Sequence, residues 1–250
     1  MLEITHRTNI AILTMVHGKA NAFDLEFSNA LTAALDDLSW SKASAIVITA
    51  RGAIFSAGVD LLRVTSGGAT YLDEVRPAVS RTFETAFACP KPVVAAINGH
   101  AFAGGCILAL AADRRLMARG TARIGMPEVL VGVPFPTVPL EIARCAIAPP
   151  HLAALVYSGE TLLPDAALDR GVVDAVVDGN ALLDEALAAA AKLAALAPAV
   201  FATTKQQLRE PALARMREGK ARVDPDIYKT WASPDTLDAI GSYVARTFKK

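Results

Sequence analysis

The chain is organised around residues 91–107, Lys-Pro-Val-Val-Ala-Ala-Ile-Asn-Gly-His-Ala-Phe-Ala-Gly-Gly-Cys-Ile. Residues 92–97 have the length and the β-branched content of a buried strand, and the Asn-Gly pair that follows is a turn signal. Residues 107–112 predict a helix, so Gly104 and Gly105 are expected at or near its N-terminus. There, free backbone N–H groups point out of the first turn and the helix dipole favours negative charge. The alternative is that these small residues only allow close packing.

A second stretch repeats this arrangement. Residues 45–50, Ala-Ile-Val-Ile-Thr-Ala, predict another buried strand. Residues 55–61, Phe-Ser-Ala-Gly-Val-Asp-Leu, then form a turn of small residues before a helix start expected at Asp60. If the two turns lie face to face, their exposed N–H groups provide two donors to one oxygen atom. That is the arrangement of an oxyanion hole.

Together with downstream motifs, these stretches resemble the crotonase superfamily of enoyl-CoA hydratases and isomerases. The residues that carry the resemblance are Phe55-Ser-Ala-Gly-Val-Asp60, Lys91 to His100, Ala103-Gly-Gly-Cys106, Asp113 and Ile124-Gly-Met-Pro-Glu128. Their combination is far more specific than any single motif. The resemblance implies an α/β fold, with a spiral of stacked ββα turns over residues 1–196. A helical part over residues 197–250 is expected to complete the acyl pocket and the trimer contacts.

The resemblance also implies which residues bind the substrate, an acyl-CoA thioester. Carried over position by position, the N–H groups of Val59 and Gly104 bind the thioester carbonyl. Further substrate contacts are expected at Lys19, Ala20, Ala57, Asp60, Leu61, Gly105 and Ile107. Lys19 lies in the loop that is similar to the first CoA-binding loop of the family, on the phosphate side. A solvated loop lysine is an equally good interpretation of this residue.

The sequence departs from the hydratase pattern at the catalytic carboxylates. Hydratases of the family have one glutamate directly after Gly-Gly-Cys and another in the later Pro-Glu. Here the first position is Ile107, and only the second is matched, by Glu128. Isoleucine can neither hold a water molecule nor carry a proton, which argues against a two-glutamate mechanism. Glu128 has apolar neighbours, so desolvation is expected to raise its pKa toward the range of a general base. The alternative is an exposed loop carboxylate.

These features favour a Δ3,Δ2-enoyl-CoA isomerase. Such isomerases similarly have an apolar residue after Gly-Gly-Cys and keep the later glutamate, whereas the family's dienoyl isomerases use a further aspartate near the position of Pro136. One base beside an oxyanion hole suffices to move a proton, and no metal or cofactor is expected beyond the coenzyme A of the substrate. Two alternatives stay open. One is a hydratase, lyase or thioester hydrolase in which another group replaces the missing glutamate, and the other is a non-catalytic acyl-CoA binder.

Composition and charge argue against several other classes of protein. Hydrophobic residues make up 53% of the 250 residues, and 25 basic side chains balance 25 acidic ones. This balance gives no reason to expect nucleic acid or an anionic membrane as a partner. The N-terminus lacks the layout of a signal peptide, no apolar run reaches the length of a membrane span, and the three cysteines have no metal or redox spacing. We therefore expect a cytoplasmic enzyme, and the resemblance implies a homotrimer or a hexamer.

Outside the motifs, the sequence predicts structural elements. Two short strands are expected on either side of residues 7–9, and the segment from Arg63 to Ala69, which contains Ser-Gly-Gly, is expected to be flexible. Helices are expected over residues 24–38, 71–88, 181–196, 205–218 and 234–248.

Several charged or titratable residues are interpreted as structural. His17 and His100 flank the proposed site but are not expected to act as bases. Arg246, Lys249 and Lys250 are interpreted as a charged chain end, with contact to a CoA phosphate as the alternative.

Overall fold

The computed structural model of the protein describes residues 1–247. The strands are β1 (Leu2–Arg7), β2 (Ile10–Met15), β3 (Ala45–Ala50), β4 (Ile54–Ser56), β5 (Val93–Ile97), β6 (His100–Phe102), β7 (Arg114–Ala118), β8 (Ile124–Gly125), β9 (Thr161–Leu162) and β10 (Ala175–Val177). The helices are α1 (Leu25–Trp40), α2 (Leu61–Ala88), α3 (Gly104–Ala111), α4 (Glu128–Val131), α5 (Thr137–Ala146), α6 (Pro149–Ser158), α7 (Pro164–Asp169), α8 (Leu182–Ala194), α9 (Pro198–Arg222), α10 (Asp224–Trp231) and α11 (Pro234–Thr247).

The strands form two sheets. The larger sheet has the order β1-β2-β3-β5-β7-β10 and is parallel except for the β1–β2 hairpin. The smaller sheet has the order β4-β6-β8-β9, and only β9 is antiparallel to its neighbour. Parallel neighbours need crossover connections, and the helices that make these connections cover the sheets.

Each turn of the fold contributes one strand to each sheet. The strands β3, β5 and β7 are consecutive neighbours in the larger sheet, and β4, β6 and β8 are consecutive neighbours in the smaller one. The helices α2, α3 and α4 follow β4, β6 and β8. The chain therefore runs strand, strand, helix three times in succession, which confirms the expected ββα spiral. Because β4, β6 and β8 are parallel, the turns that follow them leave the smaller sheet at the same end.

The helix α3 lies inside the hydrophobic core. All eight of its residues are buried. Its sequence, Gly-Gly-Cys-Ile-Leu-Ala-Leu-Ala, has no charged side chain, and a helix that is apolar on all sides is stable only when other elements surround it. Two aromatic rings approach its first residue, since a methyl group built on Gly104 would lie 3.0 Å from the Phe83 ring and 3.2 Å from the Phe23 ring.

The helix α9 is anchored to the spiral by a buried ion cluster. The carboxylate of Asp113 accepts a hydrogen bond from Lys205 Nζ at 2.7 Å and another from Arg209 Nη2 at 2.8 Å. Removing one member of such a cluster would leave a buried charge without compensation. The cluster therefore fixes the start of the C-terminal helical part on the core.

The C-terminal helices share the core of the spiral. Met216 of α9, Trp231 of α10 and Ile240 of α11 belong to the same cluster of buried apolar residues as the strands. The division of the chain after residue 196 stays a prediction. Within residues 1–247, no single helix combines the length and hydrophobicity that crossing a membrane requires, and α8 and α9 meet that criterion only as a pair bent by 100°.

The segment predicted to be flexible, residues 63–69, is helical, and that expectation is corrected. The helix α2 begins directly after Asp60, because the Asp60 carboxylate accepts hydrogen bonds from two N–H groups of the first turn at 3.0 and 3.1 Å. The glycines produce only a local break, at which Gly68 has φ 58° and ψ −147°. The N-cap and the packing of the helix outweigh the low helix propensity of Ser-Gly-Gly.

The other predicted elements have the expected type, with shifted ends. The helix α9 extends well beyond the predicted range of 205–218 because Pro198 starts the helix, at a position where the missing N–H of proline costs nothing. The short helix α10 was not predicted. The last predicted helix is described to Thr247, and Phe248, Lys249 and Lys250 lie outside the described residues.

Candidate active site

The two turns of small residues lie against each other. A methyl group built on Gly58, in the turn after β4, would lie 2.8 Å from the Cβ atom of Ala103 and 3.1 Å from the backbone nitrogen of Gly104. Gly58 also has a φ of 87°. Its position therefore requires a residue without a side chain, both for the backbone conformation and for the close approach. The face-to-face arrangement expected from the sequence is present.

The N–H group of Val59 points away from the strand segment beside it. Phe23 forms a parallel bridge with Val59. In this bridge the Phe23 N–H donates to the Gly58 carbonyl at 2.8 Å, and the Asp60 N–H donates to the Phe23 carbonyl at 3.0 Å. A parallel bridge uses the groups on either side of its central residue, so the N–H of Val59 itself faces the opposite side. Val59 lines a cavity, so its N–H is a candidate donor to a ligand there.

The N–H group of Gly104 is oriented by a strained residue. Gly104 is the first residue of α3, so its N–H has no partner within the helix. The preceding residue, Ala103, has φ 48° and ψ −120°, a conformation that costs a residue other than glycine about 1–3 kcal/mol. The Ala103 N–H donates to the Gly125 carbonyl at 2.9 Å, which holds this conformation. Val59 and Gly104 are therefore the two donors of a candidate oxyanion hole.

A cavity of about 900 Å³ adjoins the two turns. Of the predicted site residues, Lys19, Ala20, Ala57, Val59, Asp60, Leu61, Gly104, Ile107 and Glu128 line it. Gly105 is not part of this lining. A methyl group built on Gly105 would lie 2.3 Å from the Ser56 carbonyl oxygen, so Gly105 allows α3 to pack directly on β4. This structural role replaces the substrate contact that we expected for Gly105.

Glu128 places a buried carboxylate in the cavity wall. It is the first residue of α4, directly after Pro127, and it is 9% exposed. Its Oε2 atom is buried and has no hydrogen-bond partner among the described residues. Desolvation raises the pKa of Glu128 to about 8, against a smaller opposing effect of its own backbone N–H. The raised pKa expected for a buried general base is present.

The other carboxylates of the cavity wall are occupied. Asp60 caps α2 through two backbone N–H groups, and Glu160 forms an ion pair with Arg170. Ile107 is fully buried and lines the cavity. An apolar side chain therefore stands at the position where the hydratases described above have their first glutamate. Within residues 1–247, Glu128 is therefore the cavity carboxylate that is free to exchange a proton with a substrate.

The loop that carries Lys19 and Ala20 is held by Asn21. The Asn21 side chain donates to the Ile54 carbonyl at 2.9 Å and accepts from the His17 N–H at 2.8 Å. Its φ is 45°, a value that asparagine adopts more readily than most residues. Lys19 is exposed and also lines the cavity, which is compatible with both of its interpretations.

The two histidines beside the site have structural partners. The Nε2 atom of His17 lies 2.7 Å from the Asp24 carboxylate, and its ring stacks on Phe27 at a centroid distance of 4.7 Å. The Nδ1 atom of His100 accepts a hydrogen bond from the Arg123 N–H at 3.1 Å. These contacts agree with the interpretation of both residues as structural.

The sequence also matches a known family over nearly its whole length. The model of the enoyl-CoA hydratase/isomerase family matches residues 5–244. The chain belongs to this family. It is therefore an acyl-CoA enzyme of the crotonase superfamily, and such enzymes typically need no cofactor beyond the coenzyme A of the substrate.

Similar members of the enoyl-CoA hydratase/isomerase family differ in name. A putative enoyl-CoA hydratase from Thermus thermophilus is 36% identical over 194 residues, which are 76% of this chain and 76% of the relative. The 2,3-dehydroadipyl-CoA hydratase of Escherichia coli is 28% identical over 251 residues and covers 98% of this chain and 96% of its own. The solved structure of human mitochondrial Δ3-Δ2-enoyl-CoA isomerase has a TM-score of 0.93 at 24% identity, covering 98% of this chain and 97% of that one. This similarity confirms the crotonase fold.

Some residues of the cavity wall were not indicated by any motif. Arg76 and Phe83 on α2, Trp231 on α10 and Tyr243 on α11 line the cavity. The apolar ones could not be recognised, because a cavity face and a core face have the same periodicity in sequence. For Arg76 one signal was available, namely a basic residue within the apolar face of a helix. Trp231 and Tyr243 place the C-terminal helices in the cavity wall, and their expected role in an acyl pocket stays a prediction.

Proposed function

We propose that this enzyme is a Δ3,Δ2-enoyl-CoA isomerase that uses Glu128 as its only acid/base group. One observation carries the proposal. Among the described residues, Glu128 is the cavity carboxylate with a buried oxygen that has no hydrogen-bond partner, and the apolar Ile107 occupies the position of the first glutamate of hydratases. A double-bond shift needs one group that removes and returns a proton, and the site offers one.

In the proposed reaction the thioester oxygen of a 3-enoyl-CoA accepts hydrogen bonds from the N–H groups of Val59 and Gly104. Glu128 removes a proton from C2, and the electron pair of that C–H bond forms a dienolate whose negative charge lies largely on the thioester oxygen. The dienolate then takes the proton back from Glu128 at C4, which leaves the double bond between C2 and C3. No atom is gained or lost, and Glu128 returns to its ionised form.

The two backbone donors and Glu128 lower the activation free energy in different ways. Each backbone donor to a developing oxyanion contributes about 3–4 kcal/mol in comparable sites. The raised pKa of Glu128, about 8, makes its carboxylate a stronger base than an ordinary glutamate. It also narrows the difference between the pKa of this base and the pKa of the weakly acidic C2 proton. Both effects come from backbone and side-chain groups that the fold already holds in place.

Hydration of a 2-enoyl-CoA is the second candidate, because the relatives from T. thermophilus and E. coli are named hydratases. Hydration adds a hydroxyl group to C3 and a proton to C2, so the water has to be positioned and deprotonated. Ile107 has no atom that can do either. Losing such a group costs about 10²–10⁴-fold in rate, and isomerisation does not require it.

The test is to give the purified protein a trans-3-enoyl-CoA and to follow the ultraviolet absorbance of the conjugated 2-enoyl thioester. We expect the absorbance to grow with wild type and the rate to fall by about 10²–10⁴-fold in Glu128→Gln. Glu160→Gln is the matched control, since it removes a carboxylate of the same cavity that is already paired with Arg170. A Glu128→Gln variant that keeps the wild-type rate would contradict the mechanism.

The variant Ile107→Glu separates the two candidate reactions. If the missing carboxylate limits hydration, this variant should add water to a 2-enoyl-CoA faster than wild type, which is seen as a loss of the same absorbance. A variant that folds and binds a CoA thioester but gains no hydration would show that Ile107 does not explain the preference.

The homotrimer or hexamer and the cytoplasmic location stay predictions.

A further inference from the structure

A buried arginine forms part of the cavity wall at some distance from the oxyanion hole. Arg76 is 7% exposed and lines the cavity from α2, together with the apolar Val75 and Val79. The helix α2 also carries Phe83, whose ring lies next to Gly104. Arg76 precedes Phe83 by two helical turns on nearly the same helix face, which places it about 10 Å along the helix axis from the oxyanion hole.

The guanidinium group of Arg76 has more donors than acceptors. Its Nε atom donates to the Leu72 carbonyl at 2.8 Å, its Nη1 atom donates to the Tyr228 carbonyl at 2.8 Å, and its Nη2 atom donates to the Asp73 carboxylate. A guanidinium group has five N–H bonds. Three acceptors among the described residues therefore leave two N–H bonds without an acceptor.

The charge of Arg76 is only partly compensated. Among the described residues its one carboxylate partner is Asp73, whose side chain is 73% exposed, so water screens most of that attraction. Burial lowers the pKa of Arg76, while Asp73 acts in the opposite direction. The Tyr228 ring lies 4.4 Å from the guanidinium carbon, which adds a cation–π contact but no acceptor.

The wall near Arg76 is otherwise mostly apolar. Besides the polar Ser80 on α2, the apolar Val79, Phe135 and Trp231 line the cavity, and the polar N–H of Trp231 is already donated to the Pro134 carbonyl at 2.8 Å. An acyl chain that ends in a methyl group would displace water from the guanidinium group without replacing its hydrogen bonds, which is unfavourable. An oxygen at the end of the chain would replace those hydrogen bonds.

We propose that Arg76 determines substrate specificity by binding an oxygen acceptor, foremost a carboxylate, at the far end of the acyl chain. The substrate class is then a medium-length acyl-CoA with a terminal carboxylate. This inference rests on the proposed function only for the position of the thioester at Val59 and Gly104. Arg76 and a carboxylate form the paired, charge-assisted hydrogen bonds that are among the strongest in proteins.

The test is a binding measurement with saturated acyl-CoAs, which contain no double bond and cannot isomerise. The affinities of hexanedioyl-, octanedioyl- and decanedioyl-CoA are compared by calorimetry with those of the methyl-terminated chains of equal length, and ω-hydroxyoctanoyl-CoA separates a charged from a neutral oxygen. We expect wild type to bind at least one diacid thioester about 10- to 100-fold more tightly than its methyl-terminated counterpart. Because no turnover is needed, the result is independent of whether Glu128 acts as a base.

Two variants and one control assign this preference to Arg76. Arg76→Gln should abolish the preference for the diacid, and Arg76→Lys should keep part of it, because lysine keeps the charge but not the paired geometry. Arg115→Gln is the matched control. Arg115 is 8% exposed, is bound to Asp174 and the Ala112 carbonyl, and does not line the cavity, so its loss should lower stability and leave the preference unchanged.

The alternative is that Arg76 only ties α2 to α10 through the Tyr228 carbonyl. In that case wild type would bind the methyl-terminated chains as tightly as the diacids at every length, and that result alone would overturn the proposal, even if Arg76→Gln failed to fold. A preference for the diacid that survives in a folded Arg76→Gln variant would overturn it as well. If the ω-hydroxy chain bound as tightly as the diacid, Arg76 would recognise an oxygen atom, and the proposed role of the terminal charge would be refuted.

Discussion

Replacing Glu128 by glutamine tests the burial of the proposed catalytic carboxylate without any substrate. The pKa of Glu128 is raised from 4.5 to about 8 in the folded protein, so the folded state binds this proton more tightly than the unfolded chain does. Between these two pKa values the folded state carries more protons, and the free energy of unfolding therefore falls as the pH rises. Glutamine has no charge at any pH, so the variant avoids this loss.

The size of the effect follows from the two pKa values. One pKa unit corresponds to about 1.4 kcal/mol, so the shift from 4.5 to about 8 corresponds to about 5 kcal/mol in total. About 3 kcal/mol of this falls between pH 5.5 and pH 9, because the unfolded chain is already mostly ionised at pH 5.5. For a chain of this size, that is a change of about 6–12 °C in Tm. Water in the open cavity reduces the effect, and about 1 kcal/mol is the smallest change that we expect.

The assay is urea-induced unfolding of wild type and Glu128→Gln at several pH values between 5.5 and 9. The quantity of interest is the pH dependence of the difference in unfolding free energy, since packing differences between the two side chains do not depend on pH. Glu160→Gln serves as the control because its carboxylate is paired with Arg170 and its side chain is 37% exposed. Relative to wild type, we expect Glu128→Gln to become more stable as the pH rises and Glu160→Gln to show no comparable change.

A constant difference between wild type and Glu128→Gln from pH 5.5 to pH 9 would refute the raised pKa. Such a result would mean that water or an unrecognised donor solvates the carboxylate in the folded protein. The proposed role of Glu128 as a strong base would then lose its physical support, even if the residue were needed for activity.

Three further results are expected. The value of kcat/KM for isomerisation should rise with pH through about 8, because Glu128 has to be ionised to act as a base, and a profile that is flat from pH 6 to pH 9 would contradict this. Gly105→Ala should lower the unfolding free energy by about 1–3 kcal/mol or more, since its methyl group would lie 2.3 Å from a carbonyl oxygen of β4. A variant that is as stable as wild type in denaturant unfolding would disprove that close approach. Asp113→Ala should cost about 3–5 kcal/mol in the same assay, because it leaves Lys205 and Arg209 buried without their carboxylate; a cost below 1 kcal/mol would show that water reaches both cations.

The two facing turns of the candidate oxyanion hole were the part of the site that could be predicted best. Its donors are backbone groups, and the strands and small residues that expose them are local patterns of sequence. The same holds for Glu128, whose apolar neighbours indicated desolvation before the structure showed it. Gly105 shows the limit of this reasoning. Its neighbour Gly104 lines the cavity and Gly105 packs on β4, and only the direction in which each residue faces separates the two roles.

The error over residues 63–69 has a similar origin. Ser-Gly-Gly has a low helix propensity, but the segment is held by the N-cap at Asp60 and by contacts of Arg63 with the carboxylates of Glu26 and Asp24 on another element. The contacts of Arg63 join residues far apart in the chain. No window of local sequence contains them.

The sequence by itself determined the two turns, the buried strands predicted before them and the helices after them, the glutamate at position 128 and the apolar residue at position 107, because each of these depends on a few consecutive residues. The tertiary structure decided which of these groups share one cavity. It also decided which glycine lines the cavity and which carboxylates already have partners. Arg76 illustrates the difference. Its sequence shows only a basic residue on an apolar helix face. Its position in the cavity wall and its contact with Tyr228, on a helix more than a hundred residues later, are visible only in the folded structure. These features depend on contacts between distant parts of the chain, and their free energies are set by burial, which only the folded arrangement defines.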